Sequence, residues 1–238
     1  MQSPQGWGED DLSAFVEQAE RNTRATFANL KQWFTLLRNT DSLFIGATQI
    51  PCDWGGNPLP ALLLMRAQAS FRGAVRLAMS GQLPEAYMVT RGCIENSLYA
   101  AYVRSNDRRA EIWLRRNDSA DSRNLVRKTF VYGELLTHLR VVDAATADRV
   151  DLLYQFAIDS GAHPNELSIS ANTTISEVSN GVRFDLKYLN TDPLPLKLCL
   201  KKTAQAGLAS IEVFQVSFPQ EFMSNGLTAR LHELCRKL

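Results

Sequence analysis

The sequence has no excess of charge of either sign. Its 26 Lys and Arg residues oppose 25 Asp and Glu residues, which leaves a formal net charge of +1. Proteins that bind nucleic acid or a membrane surface usually carry a broad basic excess, so this balance argues against both classes. With only 13 Gly and 9 Pro among 238 residues, the composition is neither collagenous nor disordered.

No apolar run approaches the ~20 residues that a membrane-spanning helix needs. The segment MQSPQGWGEDDLSAF also lacks the basic and apolar regions of a signal peptide. Cys52, Cys93, Cys199 and Cys235 are too widely spaced to indicate a zinc site, a redox pair or a disulfide framework. The sequence contains no Walker loop, dinucleotide glycine motif or nucleophile elbow. We therefore expect a cytoplasmic protein without membrane attachment, metal or cofactor.

Apolar side chains recur every three or four residues over most of the chain, which is the pattern of amphipathic helices. Residues 40–60 are rich in Gly and Pro and are predicted to be mostly loop, with one short apolar turn at 42–49. Two predicted helices, 59–79 and 84–104, are separated by a short link and should form an antiparallel pair at the centre, crossed by the first helix. The predicted helices cover about residues 9–38, 59–79, 84–104, 108–116, 122–139, 146–159, 194–216 and 219–237.

One stretch breaks the helical pattern and predicts a β-hairpin. Residues 182–188 alternate between apolar and polar side chains, and residues 173–178 are rich in β-branched side chains. Asn180-Gly181 between them is a strong hairpin signal, because both central residues of such a turn need positive φ. The sequence therefore predicts a single all-α domain over residues 1–238, a bundle of about seven or eight helices with one β-hairpin inserted at about residues 168–189.

The predicted helix at 84–104 carries the first candidate site. Between residues 86 and 103 its only charged side chains are Arg91 and Glu95, which lie one helical turn apart. Nearly all its other positions are apolar or small, so we expect the helix to be central and the pair to be buried. Buried charges must be paired, so Arg91→Ala should cost ~3–5 kcal/mol. Either the two side chains fix the register of neighbouring helices, or they line a central polar pocket together with Tyr102.

The second candidate is the segment Asp159-Ser160-Gly161-Ala162-His163-Pro164. It falls where the sixth predicted helix must end, because Gly161 and Pro164 both oppose continuation of the helix. Histidine titrates near neutral pH and can act as acid, base or ligand, which would add Ser160 and His163 to the polar pocket. A single histidine beside a serine often only caps a helix end, and this second interpretation stays open.

A third feature is a basic cluster at residues 104–128, with eight basic and four acidic side chains and Trp113 among them. Guanidinium and aromatic groups together can form a nucleic-acid or phosphate site. Charges of alternating sign are more typical of a solvated surface with salt bridges. Nucleic acid is therefore not the expected partner, although this cluster leaves it open.

The string Thr90-Arg91-Gly92-Cys93-Ile94-Glu95, followed by Ser160-x-x-His163-Pro164 and a hairpin, resembles a group of uncharacterised bacterial helical-bundle proteins. Their pattern is Arg-x-x-x-Glu on one helix and Ser-x-x-His before an irregular segment, and the resemblance spans about residues 59–164. These proteins are distantly similar to HEPN domains, many of which are ribonucleases in toxin–antitoxin and phage-defence systems. The HEPN ribonuclease signature places an Arg four to six residues before a His. No such Arg precedes His138, His163 or His232, so the resemblance implies the fold more than the activity.

The leading functional hypothesis is a non-enzymatic binding or regulatory module, which the resemblance links to bacterial defence or stress. Its pocket would consist of Arg91, Glu95, Tyr102, Ser160 and His163, and would receive a small anion or a carboxylate of a protein partner. One alternative is a HEPN-like hydrolase or nuclease, with His163 as acid–base and Arg91 as phosphate clamp. Another is a structural homo-oligomer that associates through an apolar helix face.

Overall fold

In the computed structural model, residues 4–50, 57–163, 166–170 and 172–237 are described, and they form an all-α bundle with one β-hairpin, as predicted. The strands are β1 (Thr173–Val178) and β2 (Gly181–Leu186), and one π-helical turn covers Ile158–Ala162. None of the helices in the described ranges is long and apolar enough to cross a membrane. The helices are α1 (Asp11–Asn29), α2 (Lys31–Thr48), α3 (Leu59–Ser80), α4 (Leu83–Arg104), α5 (Asp107–Leu114), α6 (Ala120–Thr129), α7 (Tyr132–Val142), α8 (Ala144–Ala157), α9 (Glu166–Ser170), α10 (Pro193–Ser217), α11 (Pro219–Ser224) and α12 (Leu227–Cys235).

The helices α3, α4 and α10 form the centre of the bundle. The link between α3 and α4 is tight because Gly81 adopts φ 93°, so the two helices pack as the predicted antiparallel pair. α10 packs against α2, α3, α4 and α8, and most of its residues from Leu196 to Phe214 are buried. Gly207 allows α10 to pack closely on α3, since a Cβ atom there would lie 2.6 Å from the ring of Phe71.

The predicted helix at 9–38 is instead two helices, because Leu30 adopts a non-helical φ of −119° and ψ of 44°. At this break the rings of Phe27 and Phe34 pack edge to face, with centroids 4.7 Å apart. The prediction of a loop from residue 40 onward was wrong as far as Thr48. Leu43, Phe44 and Ala47 are buried in the core, and their burial extends α2. Residues 51–56, including Cys52, lie outside the described residues.

Two further predicted helices are also interrupted, so the bundle contains more helices than the seven or eight expected. The predicted helix at 122–139 breaks at Phe130, where φ is −106° and ψ is 46°. The predicted helix at 219–237 breaks at Gly226, whose φ is 68°. The β-hairpin lies where it was predicted, but its register pairs Val178 with Gly181. The two-residue tip is therefore Ser179-Asn180, and the assignment of Gly181 to the tip was wrong by one position.

Candidate functional site

Arg91 and Glu95 form an ion pair on α4. Arg91 Nε donates a hydrogen bond to Glu95 Oε1 at 2.8 Å, and the two side chains are 32% and 35% exposed. The expectation of a buried pair at the bundle centre was therefore wrong. The helix is central, but this face of α4 reaches the surface beside α8 and the π-helical turn. Each charge neutralises the other, which leaves little net positive potential for an anion.

Tyr154 on α8 completes this group. Its hydroxyl donates to the same Oε1 of Glu95 at 3.0 Å. Burial, together with the negative charge of Glu95, raises the pKa of Tyr154 to about 12, so this phenol remains a donor at neutral pH. The ring of Tyr132 stacks on that of Tyr154 with centroids 3.7 Å apart. The Tyr132 hydroxyl donates to Asp151 Oδ1 at 3.0 Å, which ties α7 to α8.

The segment with Ser160 and His163 meets α4 at the main chain of Gly161 and Ala162. Arg91 Nη1 donates to the carbonyl oxygen of Ala162 at 3.4 Å. A Cβ atom on Gly161 would lie 2.6 Å from Pro84 Cα, so only glycine allows the π-helical turn to pack this closely on α4. Ser160 is half-buried and His163 is exposed. The structure therefore brings together Arg91, Glu95 and the backbone of this turn.

Tyr102 belongs to a different group of side chains. It lies seven residues beyond Glu95, which is about 10 Å along a helix. Its ring packs against His138, with centroids 5.5 Å apart, and the Arg109 guanidinium carbon lies 3.7 Å from its ring centroid. Burial and the positive charge of Arg109 lower the pKa of His138. Tyr102 thus anchors α5 and α7 on α4.

Arg104, Arg109 and Arg115 of the basic cluster at residues 104–128 contact three different sets of partners. Arg115 pairs with Glu111 and Asp118 at 3.2 and 2.9 Å. Arg104 lies over the ring of Phe218, with its guanidinium carbon 5.4 Å from the ring centroid. This surface resembles a solvated, salt-bridged face more than a groove for a phosphate backbone.

A groove of about 410 Å³ lies elsewhere, between α8, α10 and α12, and the sequence did not reveal it. Its apolar lining comes from leucine and alanine side chains of α8 and α10. Its polar groups come from all three helices. The lining residues are Arg149, Leu152, Leu153, Lys202, Gln205, Leu208, Ala209, Glu212, His232 and Cys235.

Glu212 is the compensated charge of this groove. Its carboxylate accepts a hydrogen bond from Arg149 Nε at 2.9 Å and one from the Cys235 thiol at 3.7 Å. Burial, reinforced by the charge of Glu212, raises the pKa of Cys235 to about 11. The thiol therefore stays protonated at neutral pH, and it acts as a donor to Glu212 rather than as a nucleophile.

Lys202 and Gln205 are the uncompensated groups. Lys202 Nζ lies 4.7 Å from the centroid of the Phe156 ring, and no carboxylate within the described ranges pairs with it. Burial and the positive charge of Lys201 lower the pKa of Lys202. Gln205 Oε1 is buried and accepts no hydrogen bond from any described residue. A cation without an anion and an acceptor without a donor therefore lie in one groove.

The sequence did not predict this groove because its lining comes from three segments that are far apart in the chain. Within α10 the positions 202, 205, 209 and 212 recur at helical spacing, and this stripe was the signal that sequence reasoning could have used. Comparison of the chain with protein-family models, curated proteins and solved structures finds no match. Among the described residues, no three His, Cys, Asp or Glu side chains are placed to hold a metal ion.

Proposed function

We propose that this protein is a binding module that takes a small anionic ligand with an apolar body in the α8–α10–α12 groove. The observation that carries this proposal is that two groups without partners line the same groove. Lys202 is a cation without a carboxylate partner among the described side chains, and Gln205 Oε1 is an acceptor without a donor. Ligand sites are commonly apolar clefts of ~300–1,000 Å³ with a few convergent polar groups. The volume of about 410 Å³ agrees with this description.

The positions of the polar groups define the class of ligand. Lys202 would attract a carboxylate, and Leu153 and Leu208 would contact an apolar or aromatic body. Gln205 Oε1 is buried and has no donor, which is costly. The Gln205 side chain would therefore turn toward the ligand and accept a hydrogen bond from a hydroxyl or amide group on that body. Glu212 is occupied by Arg149 and the protonated Cys235, which favours binding over catalysis at this groove.

Calorimetric titration of the full chain with 4-hydroxybenzoate tests this proposal. We expect Lys202→Met to weaken binding about tenfold, which is ~1.4 kcal/mol. Lys201→Met is the matched control, because it removes the neighbouring lysine, which does not line the groove. The neutral analogue 4-hydroxybenzyl alcohol should bind more weakly than the carboxylate. Since the pKa of Lys202 is lowered, affinity should fall as the pH rises through that lowered value, before an ordinary lysine would lose its proton.

Three outcomes would contradict the proposal. The first is that the wild-type chain binds neither 4-hydroxybenzoate nor benzoate. The second is that Lys201→Met and Lys202→Met reduce the affinity equally, which would indicate a general charge effect. The third is that the neutral alcohol binds as tightly as the carboxylate, which would remove the role assigned to the cation.

A further inference from the structure

The helix α1 presents apolar side chains to solvent at both of its ends. Leu12 in its first turn is 72% exposed, and Phe27 near its last turn is 50% exposed. Phe27 also borders an open groove of about 430 Å³ between α1, α2 and α3, whose apolar lining includes Phe34, Val75 and Met79. The ring of Phe27 and the apolar lining of the groove form one continuous apolar surface, and such surfaces commonly bind another protein.

The charges of α1 are separated along its length. The first part carries Asp10, Asp11, Glu17 and Glu20, whereas the second part carries Arg21 and Arg24. Glu17 already pairs with Arg21 of the same helix at 2.7 Å, so a second arginine would add to this pair. Arg72 and Arg76 on α3 also line the groove, and Arg72 pairs with Asp41 at 2.8 Å. Neither Arg24 nor Arg76 pairs with a carboxylate in the described part of the chain. The rim at the end of α1 is therefore positive, and the start of α1 is negative.

This polarity makes the surface complementary to itself when one copy is reversed. Leu12 and Phe27 are separated by about 22 Å and by about 60° around the helix, at 1.5 Å and 3.6 residues per turn. In an antiparallel pair of α1 helices, Leu12 of each copy would meet the groove beside Phe27 of the other. The same reversal places Arg24 of each copy beside Glu17 of the other. Such a reciprocal contact is the isologous arrangement of a two-fold dimer.

We propose that α1 is the interface of a homodimer, in which two copies pack antiparallel and the acidic start of each α1 lies on the arginine rim of the other. The occupant of the groove is thus the Leu12 side chain of a second copy. The interface is small, since it involves mainly one helix and the α3 rim, so the dimer should dissociate on dilution. This inference does not depend on the ligand groove, which lies between α8, α10 and α12.

Light scattering coupled to size-exclusion chromatography of the full chain tests the interface. We expect a dimer mass in the high micromolar range and a monomer mass on dilution. Phe27→Ser should shift this equilibrium to the monomer, because it removes the apolar contact from both sides of the two-fold axis at once. Leu125→Ser, on the exposed face of α6, is the matched control and should leave the dimer unchanged. A wild-type chain that stays monomeric at every concentration would overturn the proposal.

Charge reversal tests the antiparallel orientation. Arg24→Glu alone should be monomeric, because each interface would then bring two carboxylates together. Glu17→Arg alone should be monomeric for the converse reason, since two guanidinium groups would then meet. An equimolar mixture of the two variants should form a heterodimer. One chain then carries glutamate at both positions and the other carries arginine at both, so each contact between positions 17 and 24 joins opposite charges. Circular dichroism of each variant establishes that it is folded. Dimers of either single variant, or a mixture that remains monomeric, would exclude the arrangement.

Discussion

At the scale of single residues, Glu95 and its partner Arg91 are more exposed to solvent than the sequence predicted. Arg91 and Tyr154 both donate to the same carboxylate oxygen of Glu95. The apolar neighbours of the pair along α4 predicted burial, but about one third of each side chain is exposed. Water therefore solvates both charges, and an ion pair in such a position contributes little to stability. The large cost expected for Arg91→Ala from the sequence does not apply to such a pair.

We now expect Arg91→Ala to lower the free energy of unfolding by only about 1 kcal/mol, as for a partly exposed ion pair. Glu95 keeps the hydrogen bond from Tyr154 in this variant, so its carboxylate is not left unpaired. Urea unfolding of the wild type, Arg91→Ala and Glu95→Gln measures the loss in free energy of unfolding for each variant. A loss of ~3 kcal/mol or more for Arg91→Ala would show that the pair behaves as a buried one.

At the scale of secondary-structure elements, helix ends separate into those marked in the sequence and those that are not. Gly81 follows the last residue of α3, and Gly226 precedes the first residue of α12. Both adopt positive φ, which is common for glycine at helix boundaries. The breaks at Leu30 and Phe130 carry no such mark, because both residues are good members of an apolar helical stripe. Packing of the aromatic rings around these breaks decides them. Asp143 is a further marked end, since its carboxylate caps α8.

Asp143 accepts hydrogen bonds from the Thr146 backbone N–H and hydroxyl, each at 3.0 Å. Asp143→Ala should therefore destabilise the protein by about 1 kcal/mol. These hydrogen bonds, the backbone one foremost, lower the pKa of Asp143. Its contribution should be complete above the ordinary aspartate pKa and should be lost as the pH falls through the lowered value.

Thermal or urea unfolding of wild type and Asp143→Ala at several pH values measures this contribution. Asp148→Ala is the matched control, because Asp148 is an exposed residue of the same helix that pairs with Arg140 at the surface. We expect the control to change stability by less than ~0.5 kcal/mol. A difference between wild type and Asp143→Ala that persists unchanged in strong acid would contradict the capping role.

At the scale of the whole molecule, the helical bundle and the β-hairpin contribute differently to stability. The core runs through α3, α4 and α10, with Phe44, Phe71 and Phe214 fully buried. Every residue of β2 is exposed. The base of the hairpin is held by the backbone N–H of Asn190, which donates to the carbonyl oxygen of Gly81 at 2.8 Å. The hairpin is thus an addition to a core that the helices form among themselves.

Two phenylalanine substitutions compare the contributions of the helical core and of the hairpin to the free energy of unfolding. Phe214→Ala should cost ~3–5 kcal/mol, because it removes a buried ring and leaves a cavity in α10. Phe184→Ala in β2 should cost less than ~0.5 kcal/mol, since its side chain is exposed. Denaturant unfolding followed by circular dichroism compares the two. A large loss for Phe184→Ala would mean that the hairpin belongs to the cooperative core.

The sequence by itself determined the all-α class, the antiparallel pair of α3 and α4, and the position of the β-hairpin. These features follow from residue periodicity and from turn residues, which act over a few neighbouring positions. The tertiary structure alone decided that helices break at Leu30 and Phe130, that Arg91 and Glu95 reach the surface, and that Lys202 and Gln205 share a groove with α8 and α12. Each of these outcomes depends on contacts between residues far apart in the chain, and no local pattern encodes which faces of different helices will meet.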